Sequence, residues 1–232
     1  MMKQYDIGDK ILTRLKRVGR IEVNEFIALF VNKRFKDPFI VLIATIISQN
    51  TNEKNTFKAF ESLRRKIGEL KPERLADMSL DEIVDAIRVS GMYRVKSRAI
   101  KEVSKLILKE FKGNTEALRN LSIDEAYSIL LQVPGVGKKT VDVMLAYMGK
   151  PVLPVDTHIR RIAKRLGVTT SNNYEDIKES LENIFRPELR LKAHLYLIKL
   201  GRSICKASKP LCLKCPLNDI CKEGQKNLPK GS

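Results

Sequence analysis

The sequence predicts an all-α protein, and three observations support this class. Helix start and stop signals recur along the chain of 232 residues, whereas the alternating pattern of β-strands is nearly absent. Apolar residues recur at helical spacing in several segments. One stretch, residues 149–154, interrupts the helices with two prolines that favour extended backbone. We therefore expect about ten short helices in two lobes, with a hinge at the proline stretch.

Helix starts are marked by side chains that can accept bonds from backbone N–H groups. Ser followed three residues later by Glu has the spacing of a capping box, and Asp before Pro is typical of an N-cap before the first helical residue. These signals occur at Asp37–Pro38, where the helix should run through Ile47, at Ser79 with Glu82, and at Ser122 with Glu125. Apolar periodicity predicts further helices. They cover residues 93–111, ended by Gly113, and residues 175–184 and 187–203.

The net charge indicates a polyanionic partner. Lys and Arg number 44 against 27 Asp and Glu, which gives a net charge of +17 and an isoelectric point near 9.8. An excess of this size concerns partners rather than fold, and nucleic acid is the first candidate. The absence of Trp and an aromatic content of 6% argue against a platform for stacking single-stranded bases. A duplex held by its phosphates fits better, with a thermophile's charged surface or a ribosome-associated protein as the alternatives.

No segment is typical of a membrane span or a secretory signal. The longest apolar run, residues 38–47, is too short to cross a bilayer. The amino terminus carries no apolar stretch of the kind found in signal peptides. We therefore expect no membrane partner and a cytoplasmic location.

Four cysteines near the carboxyl end predict a metal site. Their spacing is C-x6-C-x2-C-x5-C, and none occurs earlier in the chain. Disulfides are disfavoured in the cytoplasm. Structural zinc usually takes two closely spaced pairs, and here only one pair is close. The wider gaps favour a cluster whose four irons each bind one thiolate, with zinc as the alternative. The residues are Cys205, Cys212, Cys215 and Cys221.

A glycine-containing turn between two predicted helices is a candidate contact for DNA. In the segment VPGVGKKT, residues 133–140, Gly135 and Gly137 allow the backbone to approach another molecule closely. The helix that begins near Lys138 presents N–H groups that attract a phosphate. Lys139 lies beside Lys138 near the positive end of this helix, and both neighbours disfavour its ammonium form, as an amine nucleophile requires. A plain tight turn and a phosphate-contacting or solvated lysine are the alternative interpretations.

The segment VDTH, residues 155–158, follows the proline stretch. Asp156 is a natural N-cap for a helix that runs to Leu166. A carboxylate held by helix N–H groups stays ionised and can stabilise positive charge that builds on a sugar. His158 is expected to be structural.

In this order, VPGVGKKT, VDTH and the cysteine loop closely resemble the endonuclease III branch of the helix-hairpin-helix DNA glycosylases. The resemblance spans roughly residues 38–221. It implies that Lys139 attacks the anomeric carbon of the sugar, that Asp156 assists, and that the four cysteines hold one 4Fe–4S cluster. The adenine-excising branch lacks a lysine at that position, so a combined glycosylase and lyase is implied.

Two further loops share this resemblance. Gln49 corresponds to the residue that fills the gap left by an extruded base. Met92, after Gly91, stands where a family member carries a wedging Leu. The resemblance implies that Gln49, Met92, Tyr93 and Lys96 contact DNA. Without the resemblance, Gln49 would be interpreted as a helix C-cap and Met92 as a core residue. From the cysteine loop, phosphate contacts are expected for Lys206 and Lys209.

The expected architecture has two helical lobes with a DNA-binding cleft between them. Residues 36–151 form a six-helix barrel lobe with the helix-hairpin-helix. Residues 1–35 and 152–232 form the iron–sulfur lobe, with the cluster loop at 205–221. Lys139 and Asp156 are expected to meet at the mouth of the cleft.

The expected function is base-excision repair. The protein would act as a monomer on double-stranded DNA, associated with the nucleoid of a prokaryote. It would remove damaged bases, above all oxidised pyrimidines, and cleave abasic sites by β-elimination. The alternatives are a thymine or uracil glycosylase directed at mismatches, a non-catalytic DNA-binding module, and a zinc-stabilised RNA-binding protein.

Overall fold

The computed structural model describes residues 5–226, and these contain α-helices and no β-strand. The predicted all-α class is therefore confirmed. Residues 1–4 and 227–232, which are the two ends of the predicted iron–sulfur lobe, lie outside the described residues. The helices are α1 Asp6–Leu15, α2 Ile27–Phe35, α3 Pro38–Ser48, α4 Glu53–Ile67, α5 Pro72–Asp77, α6 Leu80–Ile87, α7 Tyr93–Phe111, α8 Ile123–Leu130, α9 Lys138–Tyr147, α10 Thr157–Leu166, α11 Tyr174–Glu182, α12 Arg190–Ser203 and α13 Lys222–Lys226.

The predicted helix starts are confirmed by their capping bonds. The Asp37 carboxylate accepts from the N–H groups of Phe39 and Ile40, at 2.7 and 3.3 Å. Ser79 and Ser122 both form complete capping boxes with the Glu three residues on. Among the described residues there are thirteen α-helices rather than about ten, because α5 and α13 are too short to show an apolar period.

The described chain forms two compact units. One comprises Glu22–Lys150, and the other comprises the described residues up to Ile21 and from Pro151 onward. The border after Lys150 falls within the proline stretch. On the amino-terminal side the border lies after Ile21 and not after residue 35, because α2 packs mainly on α3.

The Glu22–Lys150 unit is built around α3. This helix is apolar on all sides and every residue from Pro38 to Ile47 is buried, which is the pattern of a helix enclosed by others. Helices α2, α4, α7 and α9 pack against it. The helix that follows the glycine turn is therefore anchored directly on the core of this unit.

In the other unit, α12 packs on α1 and α10, and α10 also contacts α13. The cysteine segment begins where α12 ends and leads into α13. Among residues 5–226, no helix combines the length and apolarity needed to span a membrane.

Candidate nucleic-acid interface and metal centre

The glycine turn joins α8 to α9 as a tight helical hairpin. Gly135 has a φ of +91°, and a Cβ added there would lie 3.2 Å from the Cβ of Ala99. Gly137 has an ordinary extended φ of −106°, is exposed, and would place a Cβ with no atom within 4 Å. Gly135 is thus required by the fold, whereas Gly137 leaves open space at the start of α9.

The start of α9 carries both hairpin lysines. Gly137 is its N-cap and supplies no side chain to bind the first N–H groups, which suits this end to an anion. Lys138 is exposed and Lys139 is half-buried. Adjacent positions on a helix point about 100° apart, so the two ammonium groups project in different directions.

A buried hydrogen bond that the sequence analysis missed connects the two hairpin helices. The Tyr127 hydroxyl on α8 donates to Oδ1 of Asp142 on α9 at 2.7 Å, and Asp142 is fully buried. A lone Asp inside the apolar run VDVML was the available signal, because such an acid needs a polar partner in the core. This bond helps to set the angle at which α9 leaves the turn.

Gln49 lies against the hairpin. It is the C-cap of α3, as its structural interpretation predicted. Its side-chain nitrogen also donates to the carbonyl oxygen of Gly135 at 3.0 Å and to Oγ1 of Thr140 at 3.1 Å. The structure therefore brings Gln49 together with the glycine turn, 86 residues further along the chain.

Met92 lies on the surface rather than in the core. It is 50% exposed and has a left-handed φ of 47°. Its Sδ atom lies 3.3 Å from Nδ2 of Asn50, the residue after Gln49. The Tyr93 ring lies below the Arg88 guanidinium, 5.3 Å from ring centroid to Cζ. The interpretation of Met92 as a core residue is wrong, and an exposed apolar tip is what a wedge requires.

Lys96 was predicted to contact DNA, and this prediction is wrong. Its side chain is 0% exposed. Nζ donates to the carbonyl oxygens of Ile47, at 2.9 Å, and Ser90, at 2.8 Å. Burial lowers the pKa of its ammonium group to about 8. The position lies on the inward face of α7, beside the buried Ala99 and Ile100, so packing of that helix takes the lysine into the interior.

In the other unit, Asp156 is the N-cap of α10 as predicted. Its Oδ1 atom accepts from the N–H of Ile159 at 2.8 Å, and the side chain is half-buried. The imidazole Nδ1 of His158 lies 3.1 Å from the Arg161 guanidinium, consistent with its expected structural role. Lys139 belongs to the Glu22–Lys150 unit and Asp156 to the other.

The four cysteines surround one small cavity, together with Arg165 and the start of α13. All four are free thiols. Burial, followed by the neighbouring thiols of Cys221 and Cys205, raises the pKa of Cys212. Burial is also the main cause that raises the pKa of Cys215 to about 11, and the other three thiols contribute. The thiols that shift these pKa values line the same cavity.

The donor set fits a cluster. Structural zinc usually takes two closely spaced cysteine pairs, and in this chain only Cys212 and Cys215 are closely spaced. The four thiols instead form the wall of a shared cavity. This arrangement fits a group with one iron for each thiolate.

Two arginines of α10 hold the cysteine loop. The Arg161 guanidinium donates to the carbonyl oxygen of Cys205 at 2.7 Å. Arg165 donates to Sγ of Cys205 at 3.3 Å and to the carbonyl oxygen of Lys206 at 2.7 Å. The sequence analysis missed both arginines, and their only signal was the basic face of α10. The side chains of Lys206 and Lys209 are exposed, and their contact with phosphate stays a prediction.

Comparison with known proteins places these features in one class. Residues 43–187 match the model of the HhH-GPD superfamily base excision DNA repair protein. Residues 205–221 match the iron–sulfur binding domain of endonuclease III. The hairpin and Asp156 both lie within the first matched range, and the four cysteines span the second.

Individual relatives narrow the class. The chain is 36% identical to endonuclease III of Sulfolobus acidocaldarius, over 94% of this chain and 96% of that protein. It is also similar to a trapped endonuclease III–DNA covalent intermediate, with a TM-score of 0.79 and 28% identity over 97% of this chain and 99% of that one. A thermostable thymine-DNA glycosylase, at TM-score 0.77 and 21% identity over 97% and 98% of the two chains, shares the fold. The chain belongs to the endonuclease III family of the HhH-GPD superfamily.

Proposed function

We propose that Lys139 is the nucleophile of this enzyme, that Asp156 is its essential carboxylate, and that oxidised pyrimidines in duplex DNA are its main substrates. The class itself follows from the family: the protein is a base-excision-repair DNA glycosylase with an associated AP lyase activity, and it binds DNA. One observation supports the proposal most. Lys139 lies in the first turn of α9, where an uncapped helix start and the open side of Gly137 can receive a DNA phosphate.

The proposed reaction begins with extrusion of the damaged nucleotide, which costs a few kcal/mol and less when the base is damaged or mispaired. The deprotonated amine of Lys139 attacks the anomeric carbon, the bond from that carbon to the base breaks, and the base leaves with a proton. Asp156 stabilises the positive charge that develops on the sugar. The opened sugar and the amine form a Schiff base, proton loss at the neighbouring carbon follows, and the 3′ phosphate leaves by β-elimination.

The other proposed contacts surround this centre. The backbone of Gly135 and Gly137 and the ammonium group of Lys138 would bind the phosphates at the hairpin. Gln49 and Met92, with Tyr93 beside them, would occupy the space left in the duplex and stabilise the flipped state. The protein would act as a monomer, inside the cell and close to the nucleoid.

Cys205, Cys212, Cys215 and Cys221 would hold the 4Fe–4S cluster, which when bound supplies four iron–thiolate bonds that tie the loop together. Arg161 and Arg165 fix the backbone of that loop from α10. The exposed Lys206 and Lys209 would then meet phosphates from a rigid support. The proposed role of the cluster is structural.

The proposal is tested by borohydride trapping on duplexes that carry an oxidised pyrimidine, a G·T or G·U mismatch, or an abasic site. We expect a covalent protein–DNA adduct that Lys139→Ala abolishes, because no amine remains to form the Schiff base. The matched control is Lys138→Ala, at the preceding position of α9. It should bind more weakly and still trap, since its ammonium group points in a different direction.

Three outcomes count against the proposal. An adduct formed by the Lys139→Ala protein would contradict the assigned nucleophile. Faster excision from the mismatched duplexes than from the oxidised one would show that mismatched bases, and not oxidised pyrimidines, are the main substrates. Binding of every duplex with no excision would indicate a non-catalytic module.

A further inference from the structure

Lys96 links the two loops to which Gln49 and Met92 belong. Its Nζ atom donates to the carbonyl oxygen of Ile47, two residues before Gln49, and to that of Ser90, two residues before Met92. Both carbonyl groups lie at the ends of helical turns, where no further helical N–H is available to them. One buried ammonium group therefore bridges the two backbones that lead into the two loop tips.

The two loop tips adopt backbone conformations that need support. Asn50 has a φ of 50° and Met92 a φ of 47°. Left-handed backbone is unfavourable for a residue with a Cβ, more so for Met92 than for Asn50, and such strain persists only when surrounding contacts impose it. The two residues also touch each other, with 3.3 Å between Nδ2 and Sδ. The bridge from Lys96 is a contact that can hold both tips in place.

Packing alone does not account for a lysine at this position. The side chain is 0% exposed, and its neighbours on α7 are apolar or small. Lysine is almost never fully buried unless it is paired, because the loss of hydration is costly. An apolar side chain of the same length would fill the space without this cost, so what the ammonium group adds is its pair of charge-assisted hydrogen bonds.

We propose that Lys96 is a positioning residue for base extrusion, because its ammonium group holds the Gln49 loop and the Met92 loop in a fixed relation. This rests on the proposed roles of those two side chains. Gln49 is in turn bonded to Gly135 and Thr140 of the hairpin. Lys96 is therefore linked to the hairpin through the backbone from Ile47 to Gln49 and the hydrogen bonds of the Gln49 side chain. The exposed tip of Met92 lies at the other end of the Lys96 bridge.

Lys96→Met tests the proposal, because it keeps the length of the side chain and removes both hydrogen bonds. The matched control is Lys101→Met on the same helix. Lys101 also donates to two backbone carbonyl oxygens, those of Ala76 and Met78, but these lie at the end of α5. Both variants should be less stable than the parent, so loss of stability does not distinguish them.

The distinguishing readout is the ratio of two single-turnover rates, one on a paired lesion and one on a preformed abasic site. In Lys96→Met we expect base excision to fall by about tenfold more than abasic-site cleavage, since an unstacked sugar needs less help to leave the duplex. A 2-aminopurine placed opposite the lesion should show a smaller fluorescence rise on binding. Lys101→Met should leave the ratio and the fluorescence rise at parental values.

A double-mutant cycle with Met92→Ala adds a second test. If Lys96 acts through Met92, the Lys96→Met/Met92→Ala protein should lose less on the paired lesion than the two single losses combined. Additive losses, equal losses on the two substrates, or the same change in Lys101→Met would each overturn the proposal. If Lys96→Met does not fold, Lys96→Gln, which keeps an N–H donor, is judged by the same ratio and the same outcomes. A parental protein that excises no lesion would instead contradict the proposed function.

Discussion

The hairpin of residues 131–140 and the cysteine loop of residues 205–221 are held in place by different means. The hairpin is closed by short-range backbone bonds, from the N–H of Val133 to the carbonyl of Leu130 and from that of Val136 to the carbonyl of Val133. The cysteine loop contains only one short helical turn, Cys212–Lys214. It depends on arginines from α10 and on four converging thiols.

The shape of the hairpin is set mainly by residues close in sequence, whereas the shape of the cysteine loop also needs contacts from distant residues. A turn that closes within three residues keeps its shape wherever its flanking helices go. The cysteine loop also has short-range backbone bonds, such as those from the N–H of Cys215 to the carbonyl of Cys212 and from the N–H of Ile220 to the carbonyl of Leu217. In addition it is tied to α10 by arginine side chains and would be tied by iron at its four thiols. The hairpin should therefore respond to changes at single backbone positions, and the cysteine loop to loss of a ligand.

The largest effect is expected from Cys215→Ser, because a hydroxyl is a poor iron ligand and the loop loses its common centre. We expect loss of the broad absorbance near 400 nm, fewer than about four irons per chain, and an unfolding midpoint lower by roughly 10 °C. Ser208→Ala, at an exposed position in the same loop, should change none of these. Full iron content and an unchanged midpoint in Cys215→Ser would show that the loop does not need its centre.

The next effect concerns the two hairpin glycines. Gly135→Ala should lower the free energy of unfolding by about 1–2 kcal/mol, because alanine at a φ of +91° is strained and its Cβ meets Ala99. Gly137→Ala should cost less, about 0.5–1 kcal/mol for the loss of a favoured N-cap residue. It should weaken DNA binding, because its methyl group fills the open side of the turn. Chemical denaturation and binding to an abasic analogue measure the two. Equal effects of the two substitutions on stability would contradict the division of roles.

The smallest effect is a change in salt dependence. Each phosphate neutralised by a lysine contributes a slope of about −0.9 to a log–log plot of affinity against salt. Lys138→Ala in the hairpin and Lys206→Ala in the cysteine loop should each make the slope shallower by roughly this amount. Lys105→Ala is the control, because its Nζ already pairs with Oε1 of Glu102 at 2.8 Å. If either variant keeps the parental slope, its replaced lysine does not contact a DNA phosphate.

The sequence by itself determined the features whose causes are local. Asp37, Ser79, Ser122 and Asp156 cap helices because each side chain bonds N–H groups two or three residues away. The order of the hairpin, VDTH and the cysteine spacing was enough to indicate the family. Spacing along the chain is sufficient in these cases because the interacting atoms are sequence neighbours or share one ligand.

Only the tertiary structure decided the features that depend on which faces pack together. Lys96 looked like a surface cation, and it is buried because α7 turns that face towards Ile47, 49 residues earlier in the chain. Gln49 contacts the glycine turn 86 residues later in the chain. Arg165 contacts the cysteine loop 40 residues later. Residues 22–35 belong to the unit around α3 because α2 packs against α3. A charged side chain can bond to whichever carbonyl group packing brings within reach, and local sequence does not specify that partner.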